Sequence, residues 1–129
     1  MTRQWTAVLA ATAMLSLAGL ALSHHSYTAF EIGKTVAIEG LVTRVEFANP
    51  HVLVTIKTKD GEYTAEFPPI STLARGKFHS TSLKIGDVVV VKGSLIKDPE
   101  LKKISLIKEL RRPADGWIWP EPVARSAYK

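Results

Sequence analysis

Histidine side chains are the groups of this sequence best suited to bind a metal ion. The four histidines are His24, His25, His51 and His79. His24 and His25 are adjacent and follow a long apolar run, whereas His51 follows the dipeptide Asn-Pro. The two Met residues stand at positions 1 and 14 and the chain has no Cys, so soft sulfur ligands are lacking beyond position 14. A transition-metal site must therefore be built from nitrogen and carboxylate ligands.

Residues 1–23 have the layout of a secretory signal peptide. Arg3 provides a positive charge near the start, an uncharged apolar run follows, and the small residues Ala21 and Ser23 precede a predicted cleavage between Ser23 and His24. We therefore expect an exported protein, periplasmic or extracellular, with no membrane span after cleavage. The alternative is an uncleaved anchor in the inner membrane, because about 20 apolar residues are enough to span a bilayer.

Cleavage after Ser23 makes His24 the first residue of the mature protein. A terminal His offers its free amine and its imidazole to the same ion, and one further imidazole completes a three-nitrogen site of a kind that copper(II) accepts. The segment from His25 to Thr35 spans roughly 33 Å when extended, enough to run back along the first predicted strand to His51. The hypothesis is a metal site formed by His24, His25 and His51, with copper or zinc as the candidate ions. The alternative leaves His24 and His25 in solvent and makes His51 a residue that merely follows a turn.

The sequence contains no recognised catalytic motif. It lacks G-x-S-x-G, H-E-x-x-H and a glycine-rich phosphate loop, and its carboxylates are too scattered to name an acid–base pair. We therefore predict a binding module rather than an enzyme. No cofactor other than the candidate metal ion is indicated.

Positive charge is concentrated in the C-terminal half. Residues 24–74 include four basic and six acidic residues, whereas residues 75–129 include twelve basic and six acidic ones. Such a surface attracts phosphate, anionic lipid or acidic sugar, so the alternative function is an envelope domain that binds a protein or an anionic surface. The simpler alternative is a lysine-rich surface that contacts only water. Nucleic acid is not the expected partner of an exported protein.

Five strands and one short helix must position these groups. Alternating apolar residues between turn signals predict a helix near 70–75 and strands at about 35–47, 51–59, 62–67, 87–97 and 101–110. A slip in the alternation at Gly40 predicts a bulge that bends the first strand, and Gly93 is a candidate for a second bulge. Three strands, a helix and two strands follow the order of an OB-fold, a partly open five-stranded barrel. We therefore predict an all-β protein with a small OB-like barrel; a β-sandwich or a six-stranded barrel is the alternative.

The predicted organisation has four parts. Residues 101–110 fit a helix as well as a strand, and we predict a strand because Asp98 and Pro99 indicate a hairpin with the preceding valine-rich strand. The C-terminal residues include two tryptophans but too many prolines for regular structure. The parts are a signal peptide (1–23), an N-terminal lead-in (24–34), the barrel (35–112) and an irregular tail (113–129).

The chain resembles a family of small exported bacterial proteins that is classed as a domain of unknown function. The resemblance is carried by HHS at His24–Ser26 and NPH at Asn49–His51, and it extends to about Gly93. The family pattern tends to have Trp before NPH and Gly-Trp after the helix, where this chain has Phe47 and Gly76–Lys77. The resemblance implies export and a small β-domain, supplies no activity or substrate, and draws attention to the two His motifs as a pair.

Overall fold

The computed structural model describes residues 28–122, which form six strands, one short α-helix and one 3-10 turn. The predicted signal peptide, His24 and His25 lie outside these residues. The helix α1 covers Ile70–Arg75, as predicted, and the 3-10 turn covers Pro99–Leu101. The strands are β1 (Val36–Glu46), β2 (Val52–Thr58), β3 (Gly61–Phe67), β4 (Val88–Leu95), β5 (Lys103–Arg112) and β6 (Trp117–Trp119). Neither helical segment of the described range has the length and apolar character needed to cross a membrane.

A single sheet runs through the six strands in the order β3-β2-β1-β4-β5-β6, with antiparallel neighbours throughout. A parallel pairing of Thr64 with Lys103 and of Ala65 with Ile104 joins β3 to β5. This pairing closes the first five strands into a barrel. The predicted all-β, OB-like barrel with a helix between its third and fourth strands is therefore confirmed, with β6 as an additional strand.

The first strand bends so that its first half pairs with β4 and its second half with β2. The register with β2 shifts between Val42 and Arg44, so the bulge lies at Thr43 rather than at Gly40, where the sequence predicts it. Gly40 has a different role. A Cβ at this position would collide with the carbonyl oxygen of Lys57, so glycine allows the backbones of β1 and β2 to approach closely.

The second irregularity of the sheet lies opposite Gly93, and its extra residues belong to β5. Leu106 of β5 has a φ of 51° in this stretch. The strand itself is confirmed, but it begins two residues later than predicted, at Lys103. The reason is the 3-10 turn before it, in which the carboxylate of Asp98 accepts a hydrogen bond of 3.0 Å from the N–H of Glu100.

The prediction of an irregular tail is wrong for Trp117–Trp119, which form β6 and pair with Leu110–Arg112. The Arg112 guanidinium donates a 3.0 Å hydrogen bond to Asp115 and so helps to close the intervening turn. The indole of Trp119 is buried. The strand signal of a three-residue Trp-Ile-Trp segment is too short to recognise beside three flanking prolines.

An aromatic cluster fills the end of the barrel at which β3 passes into α1. Phe78 is fully buried, and its ring centroid lies 5.5 Å from those of Phe67 and Trp117, 5.9 Å from that of Phe47 and 6.2 Å from that of Trp119. The rings meet in tilted or edge-to-face geometry, which adds to the burial energy. The cluster fixes the end of β3 and the residue after β1, and these two segments flank the Asn-Pro-His turn.

Candidate functional site

The turn that carries His51 is tied to the start of α1. It joins β1 to β2, and its Asn49–Pro50 peptide bond is cis. The side-chain oxygen of Asn49 accepts a hydrogen bond of 3.1 Å from the backbone N–H of Ile70, the first residue of the helix. This bond provides a partner for one of the free N–H groups at the helix start. Asn49 therefore positions the residues that follow it, including His51.

The His51 imidazole is held through one nitrogen and is otherwise open to solvent. Its Nδ1 lies 3.3 Å from the carbonyl oxygen of Phe67, which faces it because Val52 pairs with Phe67 across β2 and β3. A carbonyl oxygen only accepts hydrogen bonds, so this bond requires the proton on Nδ1 and leaves the lone pair on Nε2. Metal-binding histidines are commonly oriented by a carbonyl in this way. The side chain is 49% exposed, so an ion can reach it from solvent.

Glu66 places a carboxylate beside His51. Its Oε1 lies 3.9 Å from Nδ1 of His51, and its Oε2 lies 2.5 Å from Nζ of Lys103. The sequence reasoning missed this residue. The available signal was its position next to the end of β3, where the antiparallel hairpin brings it close to the first residues of β2. His51 and Glu66 both line a cavity of about 190 Å³. Its other lining residues are Phe67, Pro68, Pro69, Ser105, Leu106 and Ile107.

His79 has no comparable setting. It is exposed, and its backbone N–H donates a 2.8 Å hydrogen bond to the hydroxyl of Ser82. Within residues 28–122 its imidazole has no hydrogen-bond or ion-pair partner. His79 is therefore a surface histidine against which the behaviour of His51 can be compared.

The described part of the lead-in follows the connection between β4 and β5. The N–H of Glu31 donates to the carbonyl of Leu95 at 2.9 Å, and the N–H of Lys97 donates to the carbonyl of Ala29 at 2.8 Å. The predicted route along β1 towards the Asn-Pro turn is therefore wrong for residues 29–31. The β4–β5 connection offers unpaired backbone groups, and the lead-in pairs with them.

The convergence of His24, His25 and His51 stays a prediction, because the first two lie outside the described residues. Between positions 28 and 122, no group of three or more His, Asp or Glu side chains is arranged to hold a metal ion. A complete site at His51 therefore needs ligands from elsewhere in the chain. Residues 24–27 reach roughly 14 Å from Thr28 when extended, and this length limits how far His24 can lie from the described lead-in.

Sequence comparison identifies the family of this chain. Residues 11–104 match the profile of a family of unknown function, DUF6152, and the match covers more than half of the chain. This chain belongs to DUF6152. The resemblance inferred from the sequence is thus confirmed at the level of a family of unknown function. The matched range of this DUF6152 protein includes His24, His25, His51 and the whole of β1 to β4. No curated protein matches the chain at a significant level.

Arg112 is the centre of a second charge network of this DUF6152 protein. Its guanidinium lies 2.8 Å from the carboxylates of both Asp87 and Asp115 and donates a 2.7 Å hydrogen bond to the carbonyl of Ser82. The hydrogen bond to Asp115 raises the pKa of Arg112 above its ordinary value and lowers the pKa of the Asp115 carboxyl. The network ties the loop before β4 to the β5–β6 turn, so its role is structural.

Proposed function

We propose that this DUF6152 protein is an exported, non-enzymatic binding module that holds a divalent transition metal ion through His24, His25 and His51. The protein acts in the periplasm or outside the cell after removal of residues 1–23. The observation that carries the proposal is the orientation of His51, whose Nδ1 faces the carbonyl of Phe67 and whose Nε2 is left for a ligand. Copper and zinc are the candidate ions.

The proposed site combines a chelating terminus with a fixed imidazole. The amine and imidazole of His24 bind the ion together, and His51 supplies a third nitrogen from a turn that Asn49 ties to α1. Three nitrogen donors suit copper(II) well. The imidazole of His25 is an additional donor from the same segment. Glu66 lies close enough to His51 to influence the local charge, at 3.9 Å from Nδ1.

The test uses the exported, untagged protein, because a tag would block the terminal amine. Mass spectrometry first identifies the mature first residue. Isothermal titration with copper(II) and zinc(II) then compares the parent with His24→Ala, His51→Ala and, as the matched surface control, His79→Ala. We expect one ion per chain, a loss of affinity of about tenfold or more in the first two variants, and no change in the third. Equal binding by all four proteins contradicts the proposal.

The alternative function is an envelope domain that contacts a protein or an anionic surface. It is supported by the excess of basic over acidic residues after position 74. An interaction of this kind weakens as salt rises, because exposed charges are screened beyond about 10 Å at 0.1 M ionic strength. Salt-sensitive binding to anionic vesicles, together with no stoichiometric metal binding, favours this alternative.

A further inference from the structure

Tyr63 separates two cavities at the end of the barrel away from α1. It lies near the start of β3 and pairs with Ile56 of β2, whereas α1 follows the other end of β3. The half-buried residue lines a cavity of about 390 Å³ and a second cavity of about 290 Å³. Tyr63 is the residue that the two cavities share, so a ligand that occupies both of them contacts Tyr63.

Lys102 is held in place beside this ring by its own backbone. It adopts a left-handed conformation, with φ of 42° and ψ of 58°, and its carbonyl accepts a 3.0 Å hydrogen bond from the N–H of Thr64. Its side chain runs over Gly61, where a Cβ would lie only 3.2 Å from the Lys102 Cε. The ammonium stands 5.4 Å from the centre of the Tyr63 ring. An ammonium therefore stands beside the Tyr63 ring in the wall of the smaller cavity.

The two cavities differ in charge. The larger cavity is lined by two acidic and two basic residues, Glu39, Asp60, Lys57 and Lys59. The smaller cavity has an excess of basic residues: Glu31 pairs with Lys34 and Glu66 with Lys103, which leaves Lys97 and Lys102 against Asp98. In the larger cavity, ammonium groups can donate hydrogen bonds to sugar hydroxyls and carboxylates can accept hydrogen bonds from them. The net positive charge of the smaller cavity attracts an anion.

We propose that this end of the barrel binds an acidic saccharide. One sugar ring stacks on Tyr63, its hydroxyl groups bind in the larger cavity, and a carboxylate binds in the smaller one near Lys102. A chain of phosphates fits less well, because the carboxylates of Glu39 and Asp60 repel it in the larger cavity. The site shares no residue with the proposed metal ligands, so the failure of either proposal leaves the other intact.

The test titrates the metal-free protein, kept in a chelator, with tri-galacturonic acid and with neutral maltotriose. Backbone amide NMR spectra locate the bound sugar, and isothermal titration gives the affinity at low and high salt. We expect tri-galacturonic acid to bind, with shifts confined to the residues that line the two cavities, in the first half of β1, the β2–β3 turn, the start of β3, the lead-in and the β4–β5 connection. Tyr63→Leu and Lys102→Gln should each weaken binding about tenfold. Lys84→Gln is the matched control. It also removes one positive charge, but Lys84 lies before the start of β4, whereas the β4–β5 connection with Lys102 follows the end of β4.

Several outcomes overturn the proposal. These are no binding of the acidic sugar, equal binding of maltotriose, equal loss in Lys84→Gln and Lys102→Gln, or tighter binding of polyphosphate than of tri-galacturonic acid. Circular dichroism and the dispersion of the amide spectrum establish that each variant is folded. If Tyr63→Leu does not fold, Lys102→Gln against Lys84→Gln decides the question alone.

Discussion

The Asn-Pro-His turn leads to a sharp prediction for Asn49→Ala. This substitution removes the 3.1 Å hydrogen bond from the Ile70 N–H and leaves the His51 ring and its contact with Phe67 chemically unchanged. If Asn49 positions His51, the variant should bind metal more weakly than the parent while its core remains intact. The prediction therefore separates the positioning of His51 from its role as a ligand.

The magnitude follows from the contact that is lost. One neutral, exposed hydrogen bond contributes about 0.5–1.5 kcal/mol, a small part of the roughly 5–15 kcal/mol that stabilises a domain, so Asn49→Ala stays folded. Metal binding must then order a freed turn. Ordering one backbone residue costs roughly 1–2 kcal/mol, which predicts a loss in affinity on the order of tenfold.

The assay combines copper(II) competition titration with urea unfolding. Ser82→Ala is the matched control, because it also removes one neutral side-chain bond to a backbone N–H, the 2.8 Å bond from His79, in the loop before β4. Both variants should lose similar unfolding free energy, but Asn49→Ala alone should lose metal affinity. Asn49→Asp keeps an oxygen acceptor and should therefore keep most of the parent's metal affinity. The reasoning is refuted if both alanine variants bind copper equally well.

Two further predictions concern stability. Phe78→Ala should reduce the free energy of unfolding by about 3–5 kcal/mol, because Phe78 is fully buried among four aromatic rings. Leu101 is 61% exposed, so Leu101→Ala should change the free energy of unfolding by under about 1 kcal/mol. Urea unfolding measures both values, and similar losses in the two variants would contradict the assignment of Phe78 to the core. The Arg112 hydrogen bond lowers the pKa of Asp115 in the folded state, so the stability it provides is present above the unfolded pKa, near 4, and is lost as the pH falls through the folded value. Asp115→Asn should therefore have a lower urea midpoint than the parent at pH 7, and the two midpoints should become equal at strongly acidic pH. A difference in midpoint that does not change with pH would rule out the ion pair as its cause.

The barrel could be predicted because its signals are local. Alternating apolar residues set the strands, and the Asp60–Gly61 pair marks the tight hairpin between β2 and β3. The bulge position could not be read from alternation alone, since Gly40 interrupts the pattern for another reason, its close approach to Lys57. The strand at Trp117–Trp119 depends on pairing with residues of β5 and on burial of Trp119, which are tertiary effects.

The candidate metal site could be predicted only in part. The sequence singles out His51 by its place after Asn-Pro, but it does not indicate which nitrogen is available. That depends on Phe67, sixteen residues away, and on the β2–β3 register. The carboxylate of Glu66 is brought near by the same hairpin, and its partner Lys103 comes from the β3–β5 closure. These contacts are long-range in sequence and leave no local pattern.

The nitrogen count at copper(II) tests the central claim most directly. Electron paramagnetic resonance with nitrogen hyperfine analysis should be recorded on the exported mature protein at one copper ion per chain, and then on His51→Ala. The account predicts at least three coordinated nitrogens in the parent, supplied by the terminal amine, one or both N-terminal imidazoles and His51, and one coordinated imidazole fewer in the variant. Identical spectra from the two proteins would contradict it.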